Sequence, residues 1–162
     1  MANENLLHGK KILIVDDEPD VLDSLEDLLP MCTVVKADSF KAAKECFEAE
    51  DFDLAILDIM GVEGYGLLEI ATQKKVAAVM LTAHALTPEN IVRSHKEGAA
   101  YFLPKEKMAD IATFLNDILD ARARGESTWD RWLERLASYC ERTFGKKWQD
   151  KNKDFWERFP FY

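Results

Sequence analysis

The chain has 162 residues, 48% hydrophobic and 31% charged, with a net charge of −9, which suits one core of ordinary size with some length left over. No apolar run approaches the roughly 20 residues of a membrane-spanning helix, and the opening MANENLLHGKK lacks the apolar stretch of a signal peptide, so a cytoplasmic protein is expected. The acid excess also disfavours nucleic acid as a main partner, because phosphate binding needs a basic surface.

From Lys11 onward, short β-branched apolar runs alternate with amphipathic stretches. The first run, KILIV, ends in Asp16, Asp17 and Glu18, and Pro19 opens the helical stretch PDVLDSLEDLLP. TVVKA follows, then SFKAAKECFEAE with Ser39 as its N-cap, then LAILD ending at Asp58. GYGLLEIATQ leads to VAAVML and Thr82. TPENIVRSHKEG has Thr87 as cap, Pro88 in its first turn and Gly98 as stop. YFL runs to Lys105, and KMADIATFLNDILDARAR closes at Gly125. Five strands alternating with five helices, the strands apolar without interruption, predict an α/β fold with a doubly wound parallel sheet covered on both faces. For five strands the common order is 2-1-3-4-5, which makes strands 1, 3, 4 and 5 neighbours and gathers their carboxyl ends where ligands bind.

Those ends carry Asp16 and Asp17, Asp58, Thr82 and Lys105. Clustered carboxylates cannot all ionise without a counter-charge, so such a site is expected to hold a hard divalent cation, and Mg2+ suits one or two carboxylates plus a phosphate oxygen. A lysine and a threonine opposite would hold further phosphate oxygens, one by charge and one by a hydrogen bond. Asp58, in the middle, could then attack phosphorus and form an aspartyl-phosphate. Each residue alone has a plainer use, as a helix cap, a turn residue or a surface charge. Their joint placement at adjacent strand ends carries the expectation.

The segments ILIVDDEPDVLDSLEDLL, DLAILDIM, VMLTAHA and GAAYFLPKE resemble the receiver domain of two-component response regulators, over about residues 10–124. The resemblance implies a flavodoxin-like fold. It makes Asp16 and Asp17 the metal-binding acidic pair, Asp58 the phosphoacceptor, Thr82 the switch hydroxyl and Lys105 the phosphate-pairing lysine, with the backbone carbonyl of Met60 as a further metal ligand. Phe102 stands at the aromatic switch position, whose ring would follow the threonine and alter the face made by helix 4, strand 5 and helix 5. The family implies a sensor histidine kinase or phosphotransfer protein as donor and a downstream protein as target. It implies self-catalysed phosphoryl transfer and hydrolysis and no turnover of an external metabolite. Two other classes stay open. One is an interaction module with a vestigial pocket; the other is an aspartyl-phosphate phosphohydrolase, although such enzymes place nucleophile and acid two residues apart after strand 1, and here Asp16 and Asp17 are adjacent.

The sequence departs from the family pattern in places. Val62 stands where proline is usual, in a loop with Gly61, Gly64 and Gly66 that is expected to be pliable; these glycines do not fit a GxGxxG motif in spacing or position. Glu106 replaces the proline after the lysine, and only 24 positions separate Asp58 from Thr82, so a short third helix is expected. His84, two residues beyond Thr82, is either a surface histidine or a border on the path of an attacking water. His8 and His95 show no ligand spacing, and Cys32, Cys46 and Cys140 suit neither a disulfide framework nor a zinc cluster.

The chain changes character near residue 122. Up to Ala121 there are 11 Lys and Arg against 23 Asp and Glu; from Arg122 there are 10 against 7, and all four tryptophans follow. The 38 residues after Arg124 are few for an effector domain of the usual size. A helix capped by Ser127 and stopped at Gly145 should carry Trp129, Trp132, Leu133, Leu136, Tyr139, Cys140 and Phe144 on one stripe. A second helix, about Lys147 to Phe159, should present Trp148, Phe155, Trp156 and Phe159 before Pro160 ends it. The expected organisation is thus a receiver, 10–124, and a helical extension, 125–162. The aromatic stripe must be covered by the receiver itself, by a second copy in a homodimer through these helices, or by another protein.

Overall fold

In the computed structural model, residues 5–159 are described, so Pro160 lies outside them. Five strands, β1 (Lys11–Val15), β2 (Thr33–Ala37), β3 (Leu54–Asp58), β4 (Ala77–Thr82) and β5 (Tyr101–Pro104), form one parallel sheet in the order β2-β1-β3-β4-β5. β3 and β4 are buried at every position, which is why they read as unbroken apolar runs. β2 and β5 are the edges. β2 is half-exposed, and Pro104 is tolerated in β5 because an edge strand can forgo a ladder donor.

Helices α1 (Pro19–Leu28), α2 (Phe40–Ala49), α3 (Gly64–Gln73), α4 (Pro88–Lys96) and α5 (Ile111–Ala123) cover both faces. The caps read from sequence are made. Ser39 Oγ accepts from Ala42 N at 3.1 Å, and Thr87 Oγ1 accepts from Asn90 N at 3.1 Å. α3 keeps ten residues, as many as α1 and α2, so the expected shortening does not occur there. A 3-10 turn, Lys105–Asp110, stands between β5 and α5.

The extension folds back on the receiver. α6 (Thr128–Phe144) lies against β5 and α5, with Trp129, Trp132, Leu136, Tyr139 and Cys140 buried in the same core as the sheet. The Trp129 indole donates to Ala99 O at 2.8 Å and the Trp132 indole to Phe102 O at 2.7 Å, so two large rings are buried with their polar atoms satisfied. Arg135 pairs with Asp117, and Arg131 with Asp120 at 2.8 Å, tying α6 to α5. His95 of α4 packs among Trp129, Phe155 and Phe159, with ring centroids 5.0, 5.1 and 5.4 Å away. Of the three coverings considered for the stripe, the chain uses its own receiver; a homodimer is not needed to bury it. The second tail helix is shorter than expected: a 3-10 turn, Asp150–Asn152, precedes α7 (Lys153–Arg158), and Trp148 is held before it by packing on Phe144 and Trp156.

Candidate functional site

The carboxyl ends of β1, β3, β4 and β5 converge as expected. A cavity of about 240 Å³ is bordered by Asp17, Glu18, Asp58, Thr82 and Lys105, with Met60, Gly61 and His84 at its edge. Asp16 is fully buried beneath it, Asp58 is 5% exposed, and Thr82 is 1% exposed. Lys105 reaches in from the end of β5: its Nζ lies 2.9 Å from Asp16 Oδ2, 3.0 Å from Glu18 Oε1 and 3.5 Å from Asp58 Oδ1. Three chain segments thus bring three acids and one base to a single point, because parallel strands of similar length end on one side of the sheet.

The electrostatics follow from this crowding. Burial and the neighbouring charge of Asp16 push the Asp58 carboxyl up to about 7, against the pull of Lys105. Burial also raises Asp16, with Lys105 and the Glu18 backbone N–H working the other way. Burial works against the charge on Lys105, but Asp16, Glu18 and Asp58 outweigh it, so its pKa is raised and the ammonium persists. The net effect is a site with more negative charge than one lysine neutralises. The carboxylates of Asp16, Asp17 and Glu18 can bring oxygens within 4.8 Å of one another, and this donor set fits a hard cation.

Two further residues bear on the site. Glu18 is a partner of Lys105 through a contact spanning 87 positions, which no local pattern reveals. Phe102 stays outside the cavity: its side chain is buried at 1% exposure and its carbonyl is taken by Trp132. Thr82 Oγ1 accepts from Ala85 N at 2.8 Å, Ala85 O accepts from Asn90 Nδ2, and Tyr65 Oη lies 2.9 Å from Asn90 Oδ1 and 3.1 Å from Ser94 Oγ. Thr82 is therefore joined through the β4–α4 loop to α4 and α3.

The glycine loop packs closely on the acids. Gly61 has φ +86°, and a Cβ there would lie 2.6 Å from Asp17 Oδ2; a Cβ on Gly64 would lie 2.2 Å from the backbone oxygen of Asp58. The glycines let the loop close over the acids. Gly61→Ala should cost about 1 kcal/mol from its backbone conformation. It should also displace Asp17 and weaken the affinity for any divalent cation held there about tenfold, as loss of ligand positioning does elsewhere. Calorimetric Mg2+ titration beside a melting curve separates the two effects. Val62, in place of the usual proline, is 1% exposed and packs into the core.

Comparison with known proteins agrees with this geometry. The model of the response regulator receiver domain matches residues 12–116. The two-component response regulator ARR18 of Arabidopsis thaliana is 33% identical over 103 residues, 60% of this chain and 16% of that protein. The probable transcriptional regulator ycf27 of Guillardia theta is 36% identical over 115 residues, 65% of this chain and 45% of that protein. This chain spans less than half the length of these relatives. Among solved structures, a CheY-like response regulator receiver domain protein from Methanospirillum hungatei superposes with a TM-score of 0.65 at 31% identity, covering 72% of this chain and 98% of that one. A putative response regulator from Chloroflexus aurantiacus does so with 0.61 at 28%, covering 68% and 98%. These relatives and structures cover 60% to 72% of this chain.

Proposed function

This chain belongs to the response regulator receiver domain family, and from that premise we propose that it is a phosphorylation switch that accepts a phosphoryl group on Asp58. The observation that carries the reading is the position of Lys105, 2.9 Å from Asp16 and 3.5 Å from Asp58 in one cavity with Thr82. Asp16, Asp17 and Asp58, with the Met60 carbonyl, would hold Mg2+. When bound, that ion supplies positive charge to the acids and to the incoming phosphoryl oxygens.

The carboxylate of Asp58 attacks phosphorus, a P–O bond forms to one carboxylate oxygen, and the bond to the donor's leaving group breaks, its electron pair leaving with the donor. Lys105 turns its ammonium to the phosphoryl oxygens, and the Thr82 hydroxyl donates to one of them after giving up its bond from Ala85 N. Release of that bond passes through Ala85 and Asn90 to α4. The donor would be the phosphohistidine of a sensor kinase or phosphotransfer protein, and the output a contact with a downstream protein. Hydrolysis of the Asp58 phosphoryl group is the chain's own reset; no external metabolite is turned over. Among the described residues no helix is long and apolar enough to cross a membrane, consistent with action beside a cytoplasmic kinase domain.

The test is intact mass after incubation with Mg2+ and phosphoramidate. One added phosphoryl group is expected, lost in Asp58→Asn and lost on chelating Mg2+. No uptake from phosphoramidate or acetyl phosphate would reject the switch in favour of a phosphorylation-independent interaction module. Repeated turnover of sugar phosphates would favour an enzyme instead.

A further inference from the structure

The matched family region ends at residue 116, yet the helix beyond it grips the strand that delivers Lys105. The Trp132 indole donates to the carbonyl of Phe102, three residues before the lysine, at 2.7 Å. Tyr139 Oη donates to the carboxylate of Glu106, the residue immediately after it. The two anchors on α6 are seven residues apart, a rise of about 10.5 Å. Phe102 lies on β5 and Glu106 in the 3-10 turn that follows it, so one stripe of α6 reaches both flanks of Lys105. Lys107 Nζ lies 5.5 Å from the Tyr139 ring, which places the ring between Glu106 and the next lysine.

We propose that Tyr139, through Glu106 and together with Trp132, is a positioning residue that aligns Lys105 with Asp58. This rests on the phosphoacceptor reading above. Lys105 contacts three carboxylates at 2.9 to 3.5 Å, and small movements of its backbone decide which of them its ammonium favours. Glu18, 54% exposed, competes for it from the solvent side, whereas Asp58 is the farthest of the three. A clamp on both flanks of Lys105 holds the ammonium near Asp58, where it can meet a phosphoryl oxygen. Glu106 thereby has a use at the position where the family carries proline: it is the acceptor for a tyrosine that lies outside the family region. By linkage, any alignment that α6 supplies to the site is returned when the site is filled, so occupancy of Asp58 alters the hold on α6.

The experiment uses the full chain. Tyr139→Phe keeps the ring and removes only the hydroxyl. Phosphoryl uptake from phosphoramidate with Mg2+ should slow about three- to tenfold, an ordinary coupling between contacting residues. Glu106→Ala should slow it to a similar degree, and the double variant no further. In a Lys105→Gln background Tyr139→Phe should change the residual rate by less than twofold. An unchanged rate in Tyr139→Phe, or the same loss in both lysine backgrounds, overturns the proposal, because the tyrosine would then act elsewhere or only on stability. The NMR signal of the Lys105 ammonium gives a second readout independent of chemistry. If the wild-type chain takes up no phosphoryl group, the switch reading fails by itself, and the signal decides the alignment: a shift in Tyr139→Phe supports it, and none rejects it.

Discussion

Trp132→Ala should lower the unfolding free energy by about 3–5 kcal/mol, the cost of emptying a buried aromatic site. The ring is 1% exposed and stands beside Trp129, with centroids 5.0 Å apart. Its indole also satisfies the carbonyl of Phe102 on the edge strand, so truncation removes packing and leaves a backbone acceptor without its partner. Trp132→Phe refills most of the volume and should cost only about 1–2 kcal/mol, chiefly the hydrogen bond. Urea unfolding would check both: the midpoint should fall in that order with an unchanged slope. A tail resting loosely on the receiver would instead give both variants midpoints close to wild type. The result decides whether α6 is part of the core or an appendage.

The second large effect concerns the charge on Asp58. Its carboxyl is raised from 3.8 to about 7 by burial and by Asp16. A carboxyl with a raised folded-state pKa binds more protons folded than unfolded between those two values, so it makes stability fall as pH rises from about 4 to about 7. The metal-free protein should therefore lose on the order of 2 to 4 kcal/mol across that window from this group. Asp58→Asn, which cannot ionise, should be more stable than wild type above pH 7 and nearly equal to it below pH 4. Chemical denaturation at several pH values, with Mg2+ chelated, gives the comparison. If the difference between the two proteins stays constant with pH, the crowding of acids is relieved in some other way. The same linkage makes Mg2+ displace a proton, so its affinity should be about tenfold weaker at pH 6 than at pH 8.

Much of the candidate site was legible before any fold was known. Asp16, Asp17, Asp58, Thr82 and Lys105 each follow an apolar run, and runs alternating with amphipathic helices impose a parallel sheet whose strand ends meet. The caps were legible for the same local reason, since Ser39, Thr87 and Ser127 bond to backbone only two or three residues away. The ion pair of Lys105 with Glu18 and the bond of Tyr139 to Glu106 join residues 87 and 33 positions apart. No periodicity encodes such a distance. The close fit of the glycine loop was not legible, because it depends on neighbouring atoms distant in sequence or fixed only by the fold, here Asp17 and the backbone of Asp58.

The amino-acid sequence by itself determined the class of fold and the five polar residues at the strand ends, because hydrophobic period and strand–helix alternation are local properties that the chain cannot evade; the strand order was taken from the common arrangement of five strands and is made by the sheet itself. It also determined that the aromatic stripe from Trp129 to Phe144 must be covered. Only the tertiary structure decided what covers it. Burying a stripe lowers free energy against any apolar surface of the right shape, so sequence cannot choose between a second copy and the same chain. The choice of the same chain rests on the carbonyl of Ala99, just ahead of the edge strand, and that of Phe102 within it, placed where two indoles reach them, and on Asp117 and Asp120 facing Arg135 and Arg131.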